Sequence, residues 1–302
     1  MLFFLSLVSI FLLGYLAQST GLCMVRGVKK AQKGSPMFLV AILMSGTLAW
    51  VSMSVGLTSE TQNSIGGFWP SFFSLGGGVL FGIGAAANSG CGVSTVSRLA
   101  RGETVMLVTI MGWFIAWLLF VPILPLELKG EAFVIDVQTR YFILGAASLA
   151  IAVGCFFMGA KSRKLWLSML GVGLMAGLVF IYEPHWTPSG LLKSVSGALW
   201  SGDSNLWPEQ ERFILILCLL IGMVAAAVWT RSFEFRLLSI RQAVRHLLAG
   251  ILMGLGAVMA GGGNDTQLLV AMPIFSPAGF TTVACIVLGI YFGIRWIPTH
   301  HR

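Results

Sequence analysis

Runs of roughly 20 apolar residues recur from one end of this chain to the other, separated by short polar connections. A helix needs that length to cross the hydrocarbon core of a bilayer, and only a structure that satisfies its own backbone can lie there. Composition agrees: 57% of the 302 residues are hydrophobic and 10% are charged, where soluble domains carry about a quarter. The chain therefore reads as all-α, a polytopic integral membrane protein of about nine spans. These lie near residues 1–23, 36–57, 71–100, 104–122, 140–160, 165–182, 212–230, 247–272 and 275–294. A single transmembrane domain over 1–302 is expected, its first run being a retained span and not a signal peptide, since no basic segment precedes it.

The net charge of +8 comes from short basic clusters between apolar runs, a mark of membrane orientation and not of nucleic-acid binding. With the N-terminus outside, the inner connections hold fifteen basic residues: Arg26, Lys29, Lys30, Lys33, Arg98, Arg101, Lys161, Arg163, Lys164, Arg231, Arg236, Arg241, Arg245, Arg295 and Arg302. The other side keeps Lys129, Arg140, Lys193 and Arg212, together with most acids, among them Glu60, Glu127, Glu131, Asp136, Asp203, Glu209 and Glu211. This bias implies a bacterial inner-membrane protein with a periplasmic N-terminus and a cytoplasmic C-terminus. The longest outer connection, 182–212, contains a mildly apolar stretch, Leu191 to Trp200, that suits a short interfacial or re-entrant helix. Trp186, Trp200 and Trp207 there fit headgroup anchoring better than stacking on a solute.

Shifting the sequence by 172 positions superposes Gly78 on Gly250, Leu80 on Leu252, Gly82 on Gly254, Gly84 on Gly256, Ala85 on Ala257 and Gly90 on Gly262, with Ser94 on Thr266. In the topology above, the two segments, 76–103 and 248–275, run in opposite directions. Such inverted repeats place solute sites at mid-membrane in many transporters. Each copy breaks at a polar Gly cluster and resumes as a half-helix, at Gly92 to Ala100 and at Asp265 to Met272. Two half-helices starting at the midplane would point free N–H groups and positive dipole ends at one another, an arrangement that suits an anion. Continuous helices crossing tightly at their glycines are the alternative.

Cys91 stands at the first break, in Asn88-Ser89-Gly90-Cys91-Gly92, and its thiol would lie among amide donors. Cys23 follows another small-polar interruption at the inner end of the first span and suits either contact with a solute or packing. Cys155, Cys218 and Cys285 sit in continuous apolar runs and read as small hydrophobes. Asp265, in the second break, is an intramembrane acid and so a functional candidate, or else the N-cap of its own half-helix. Gly90, Gly92, Gly262 and Gly263 would offer backbone amides, and Asn88 and Asn264 uncharged hydrogen bonds. No cysteine–histidine spacing suits a metal, and no cofactor or nucleotide motif is present. His185, His246, His300 and His301 read as surface residues, so no catalytic residues are implied.

The segment from Ser19 to Arg26, Gly82-Ile83-Gly84 leading into Ser89-Gly90-Cys91-Gly92, and the second Gly-rich break followed by Gln267-Leu268-Leu269 resemble the YeeE/YedE family of sulfur-transport membrane proteins. The resemblance implies an hourglass of helices that carries inorganic sulfur compounds such as thiosulfate, with Cys23 and Cys91 contacting the ion along a central path. A third cysteine expected in the second break is absent, its place taken by Gly263. The expected function is an inner-membrane permease, not an enzyme, for a small sulfur-containing anion that is delivered to a cytoplasmic sulfur-accepting protein. The alternative is a membrane-embedded sulfur-relay component with a persulfide on Cys91.

Overall fold

The computed structural model describes residues 1–58, 62, 65–123, 130–237 and 240–297. Glu60, Glu127, Lys129, His300, His301 and Arg302 lie outside the described residues. The chain forms α1 (Leu2–Thr20), α2 (Met24–Gln32), α3 (Met37–Leu43), a 3-10 turn (Ser45–Leu48), α4 (Ala49–Gly56), α5 (Phe72–Asn88), α6 (Gly92–Ala100) and α7 (Val105–Phe120). It continues through α8 (Val137–Phe157), α9 (Ala160–Tyr182), α10 (Pro188–Ser201), α11 (Gln210–Trp229), α12 (Ile240–Ala260), α13 (Asn264–Thr266, running into a π-helical turn Gln267–Ala271) and α14 (Pro277–Trp296). One two-residue antiparallel ladder pairs β1 (Gly67–Phe68) with β2 (Ala132–Phe133).

Eight helical stretches among the described residues are long and apolar enough to span a bilayer. The ninth expected span, α7, is apolar but 16 residues long, about 24 Å of helix against a core of about 30 Å. The outer surface is correspondingly apolar: Phe142, Leu149, Phe156 and Phe157 of α8 are all exposed, as lipid-facing side chains are.

Three of the interruptions are built alike. In each, a residue with positive φ ends the helix, the next N–H reaches back five residues, and the residue after that restarts a helix as its N-cap. The set is Gly21 (φ 63), Leu22 N to Ala17 O (3.0 Å) and Cys23; Ser89 (φ 57), Gly90 N to Ala85 O (2.9 Å) and Cys91; Gly261 (φ 74), Gly262 N to Ala257 O (2.8 Å) and Gly263. This left-handed cap satisfies carbonyls that a helix end otherwise leaves open. At the second break, Arg98 donates to Asn88 O (3.0 Å) and Arg245 to Ala87 O (2.9 Å), so the last turn of α5 is also met by cations. The break between α9 and α10 differs, running through Glu183 to Thr187 with Pro188 in the first helical turn.

Glycines let the broken helices touch. A Cβ at Gly82 of α5 would lie 2.3 Å from Ile286 O and 2.8 Å from Gly289 Cα of α14; one at Gly256 of α12 would lie 2.4 Å from Phe81 N of α5. Gly82→Val is therefore expected to separate α5 from α14 and to lower folded yield, an overpacking cost of about 1–3 kcal/mol or more. The monodisperse fraction in detergent and the melting temperature measure it; a variant that matches wild type refutes the close crossing.

Candidate functional site

Cys23 and Cys91 are the N-caps of α2 and α6. Cys91 is fully buried, and its sulfur accepts from Met24 N at 3.4 Å and from Ser94 Oγ at 3.6 Å. The Cys23 thiol lies beside the Cys91 thiol, Ser94 and the Arg26 backbone. Two sulfurs thus meet where two helices begin, and amides from both point at them. Helix starts favour negative charge, so this point suits an anion that can also contact thiols.

The second pair of half-helices, α10 and α13, is assembled the same way with oxygen in place of sulfur. Thr187 caps α10 as Cys23 caps α2, and its Oγ1 lies 2.8 Å from Oγ1 of Thr266, the residue that the 172-residue shift matches to Ser94. Ser189 Oγ donates to Asp265 Oδ1 (2.8 Å), accepts from Gly263 N (3.2 Å) and lies 2.8 Å from Thr266 Oγ1. Ser189 N donates to Asp265 Oδ2 (3.0 Å). Asp265 therefore caps α10, not its own half-helix, whose N-cap is Gly263. The half-helix starts earlier than expected, its cap at position 263, and the carboxylate reaches across to a neighbouring helix start that Pro188 leaves with one fewer amide.

The two pairs are joined directly. Gly92 N donates to Asn264 Oδ1 at 3.0 Å, between residues that the repeat also aligns. Above this bond stands Trp113: a Cβ at Gly92 would lie 2.8 Å from its Cη2, and one at Gly263 would lie 2.9 Å from its Cζ2. The indole fills the place where a side chain at position 263 would go.

A cavity of about 30 Å³ opens here, lined by Leu22 near the start of α2, Gly92 of α6, Trp186 and Pro188 at the start of α10, and Asn264 and Asp265 of α13. Three of the half-helices, α6, α10 and α13, contribute to its wall, and Leu22, just ahead of α2, adds to it. Of the residues expected at a site, the structure brings Gly92, Asn264 and Asp265 to this wall, with Cys91 and Gly263 next to them in sequence and Cys23 on Cys91.

Asn88, Gly90 and Gly262 serve the breaks instead. Asn88 is fully buried: its Nδ2 donates to Gly90 O (2.9 Å) and Thr95 Oγ1 (2.8 Å), and its Oδ1 accepts from Thr109 Oγ1 (2.9 Å) and meets His246 Nδ1 at 2.7 Å. Every polar group on it is used. His246 is accordingly buried, not a surface residue. Gly262 supplies the N–H that closes the third cap, and its carbonyl lies 3.5 Å from Gln267 Nε2. Asn88→Leu is expected to remove a bond from each of four buried partners, Gly90 O, Thr95 Oγ1, Thr109 Oγ1 and His246 Nδ1, and lower stability by several kcal/mol. A normal melting temperature in this variant would contradict the role.

Trp186 does not sit at the headgroups as expected: it is 2% exposed and lines the cavity, whereas Trp200 and Trp207 are exposed. Thr187, Ser189 and Trp186 carry no glycine cluster to announce them. The one signal in sequence is Thr187-Pro188, a cap followed by proline at the first helical position.

A family model described as sulphur transport matches residues 150–292, from within α8 to within α14. Among curated proteins, the chain is similar to the thiosulfate transporter TsuA of Escherichia coli (strain K12), at 21% identity over 328 residues, covering 93% of this chain and 90% of that protein.

Proposed function

We propose that this chain, which its sulphur-transport match and its similarity to a thiosulfate transporter assign to the YeeE/YedE family, is an inner-membrane permease for a small sulfur-containing anion resembling thiosulfate. The observation that carries the reading is the paired thiols of Cys23 and Cys91 at two helix starts, with Met24 N at 3.4 Å from Cys91 Sγ. Amides offset the charge of an incoming anion without a counter-cation. Thiols add weak S–H donors and polarisable contacts suited to a terminal sulfur. Contacts this soft hold an ion and also release it, which passage requires.

From there the path leads past Gly92 to the half-helix starts at Gly262, Gly263, Asn264 and Asp265, with the periplasmic face towards the N-terminus. The basic inner connections then face a cytoplasmic protein that accepts sulfur. Uptake of radiolabelled thiosulfate into cells that lack other routes, with and without this protein in their membranes, tests the permease. No gain in uptake from correctly inserted protein sinks it.

The neighbouring thiols also favour a second reading, a relay with a persulfide on Cys91. It would need a general base; among the described residues, no carboxylate or imidazole hydrogen-bonds to either thiol. Intact-mass measurement showing one added sulfur atom on protein exposed to thiosulfate would favour the relay.

A further inference from the structure

The start of α9 combines charge and shape in a way that the path through the centre does not use. Only Met158 and Gly159 join α8 to α9, and both helices are long and apolar enough to span a bilayer, so Ala160 stands at a membrane surface. Lys161, Arg163 and Lys164 follow at once, all three exposed. Arg163 and Lys164, with Ala160, Leu167 and Ser168 of α9 and Leu16 of α1, line an open crevice of about 410 Å³. Leu16 also packs on α9 deeper in the span, where a Cβ at Gly171 would lie 3.1 Å from its Cδ1. The crevice lies between that contact and the helix start.

The three cations have no counter-charge. Among the described residues, no carboxylate pairs with Lys161, Arg163 or Lys164. A helix start favours acidic side chains because its dipole is positive there, yet the first turn of α9 holds no acid and no side chain caps it. Membrane orientation accounts for basic residues at this surface, but not for the crevice beside them. Its deeper wall is apolar: Leu167, about two turns into the span, is 56% exposed, and Leu16 stands across from it. A phosphate at the mouth and a hydrocarbon chain along the two leucines complement both parts. A small hydrated anion would match the mouth alone.

We propose that this crevice binds an anionic phospholipid, its phosphate at Arg163 and Lys164 and one acyl chain along Leu16 and Leu167, between α1 and α9. Basic pockets between spanning helices at a membrane surface hold phosphate headgroups in this way. Charge selects an anionic lipid over a zwitterionic one, because a choline headgroup would bring a further cation to a point that already has three. The site is independent of the solute that passes through the centre. It bears on α1, the helix whose end at Gly21 begins the break before Cys23.

Native mass spectrometry of the purified full chain in detergent, with phosphatidylglycerol or phosphatidylcholine added, tests the site. Wild type is expected to retain one phosphatidylglycerol in preference to phosphatidylcholine, and Arg163→Gln/Lys164→Gln to bind it about 30-fold more weakly. Both side chains are exposed and unpaired, so the melting temperature without lipid should be unchanged or raised. Arg163→Gln alone, with a loss of about fivefold, serves should the double variant not fold. Lys33→Gln/Arg241→Gln removes the same charge at exposed positions outside the crevice and should leave affinity within about twofold of wild type. An equal loss in that control assigns the binding to general surface charge and overturns the site. Unchanged affinity in the crevice variants, or equal retention of phosphatidylcholine, overturns it too. Displacement of the lipid by inorganic phosphate at matching concentration would assign the crevice to a free anion instead.

Discussion

Cys91→Ala is expected to reduce thiosulfate uptake at least tenfold, equivalent to ~1.4 kcal/mol or more of lost contact with the passing ion, while the protein still folds. The thiol is fully buried and held by two long sulfur contacts, 3.4 Å from Met24 N and 3.6 Å from Ser94 Oγ. Contacts of that length contribute little to stability, and alanine at an N-cap leaves the left-handed turn at Ser89 untouched. Removing a small buried group costs about 1 kcal/mol here. Cys91→Ser keeps a hydroxyl donor but loses the polarisable sulfur, so its uptake should fall between alanine and wild type. Initial rates normalised to the protein in the membrane, together with melting temperatures, check the series. Wild-type uptake by the alanine variant refutes the thiol path.

Gly263→Cys, which would supply the thiol that the second break lacks, is expected to fail. An ideal Cβ at this position lies 2.7 Å from Asp265 Oδ1 and 2.9 Å from Trp113 Cζ2, closer than side-chain carbons come. Neither neighbour is free to move: Asp265 caps α10 through Ser189, and Trp113 is 2% exposed, packed against Gly254 and edge-on to Phe81 with centroids 5.9 Å apart. The expected loss is about 1–3 kcal/mol or more, with uptake reduced in step. Trimming the indole in Gly263→Cys/Trp113→Leu should recover part of that loss, a non-additive pair of the kind that contact predicts. A single variant that melts like wild type would show that the wall can yield.

Much of this site is legible in the amino-acid sequence. The polar Gly clusters and the 172-residue shift mark two breaks, and they match Gly92 to Asn264, which share a hydrogen bond. Cys23 and Cys91 stand out because they follow the small residues that stop a helix. What the sequence hides is how far each side chain is already engaged. Asn88 reads as a free carboxamide, but Thr95, Thr109 and His246 come to it from positions 7, 21 and 158 residues away. His246 and Trp186 read as superficial because each sits beside polar residues in sequence, while tertiary contacts bury both. The start of α10 is silent as a partner because its break is made without glycine, and for the same reason nothing local ties Asp265 to that helix.

The repeated cap has a consequence for how such a protein can change its cargo. In each of three breaks the turn is made at Gly21, Ser89 or Gly261, two residues before the N-cap of the helix that follows. Backbone shape and cargo contact are thus written in different letters of the sequence. Cysteine at two of these positions and glycine at the third are substitutions in one interchangeable socket. A lineage can retune what passes through by rewriting the sockets, as long as it leaves the hinges alone and clears the neighbouring indole first.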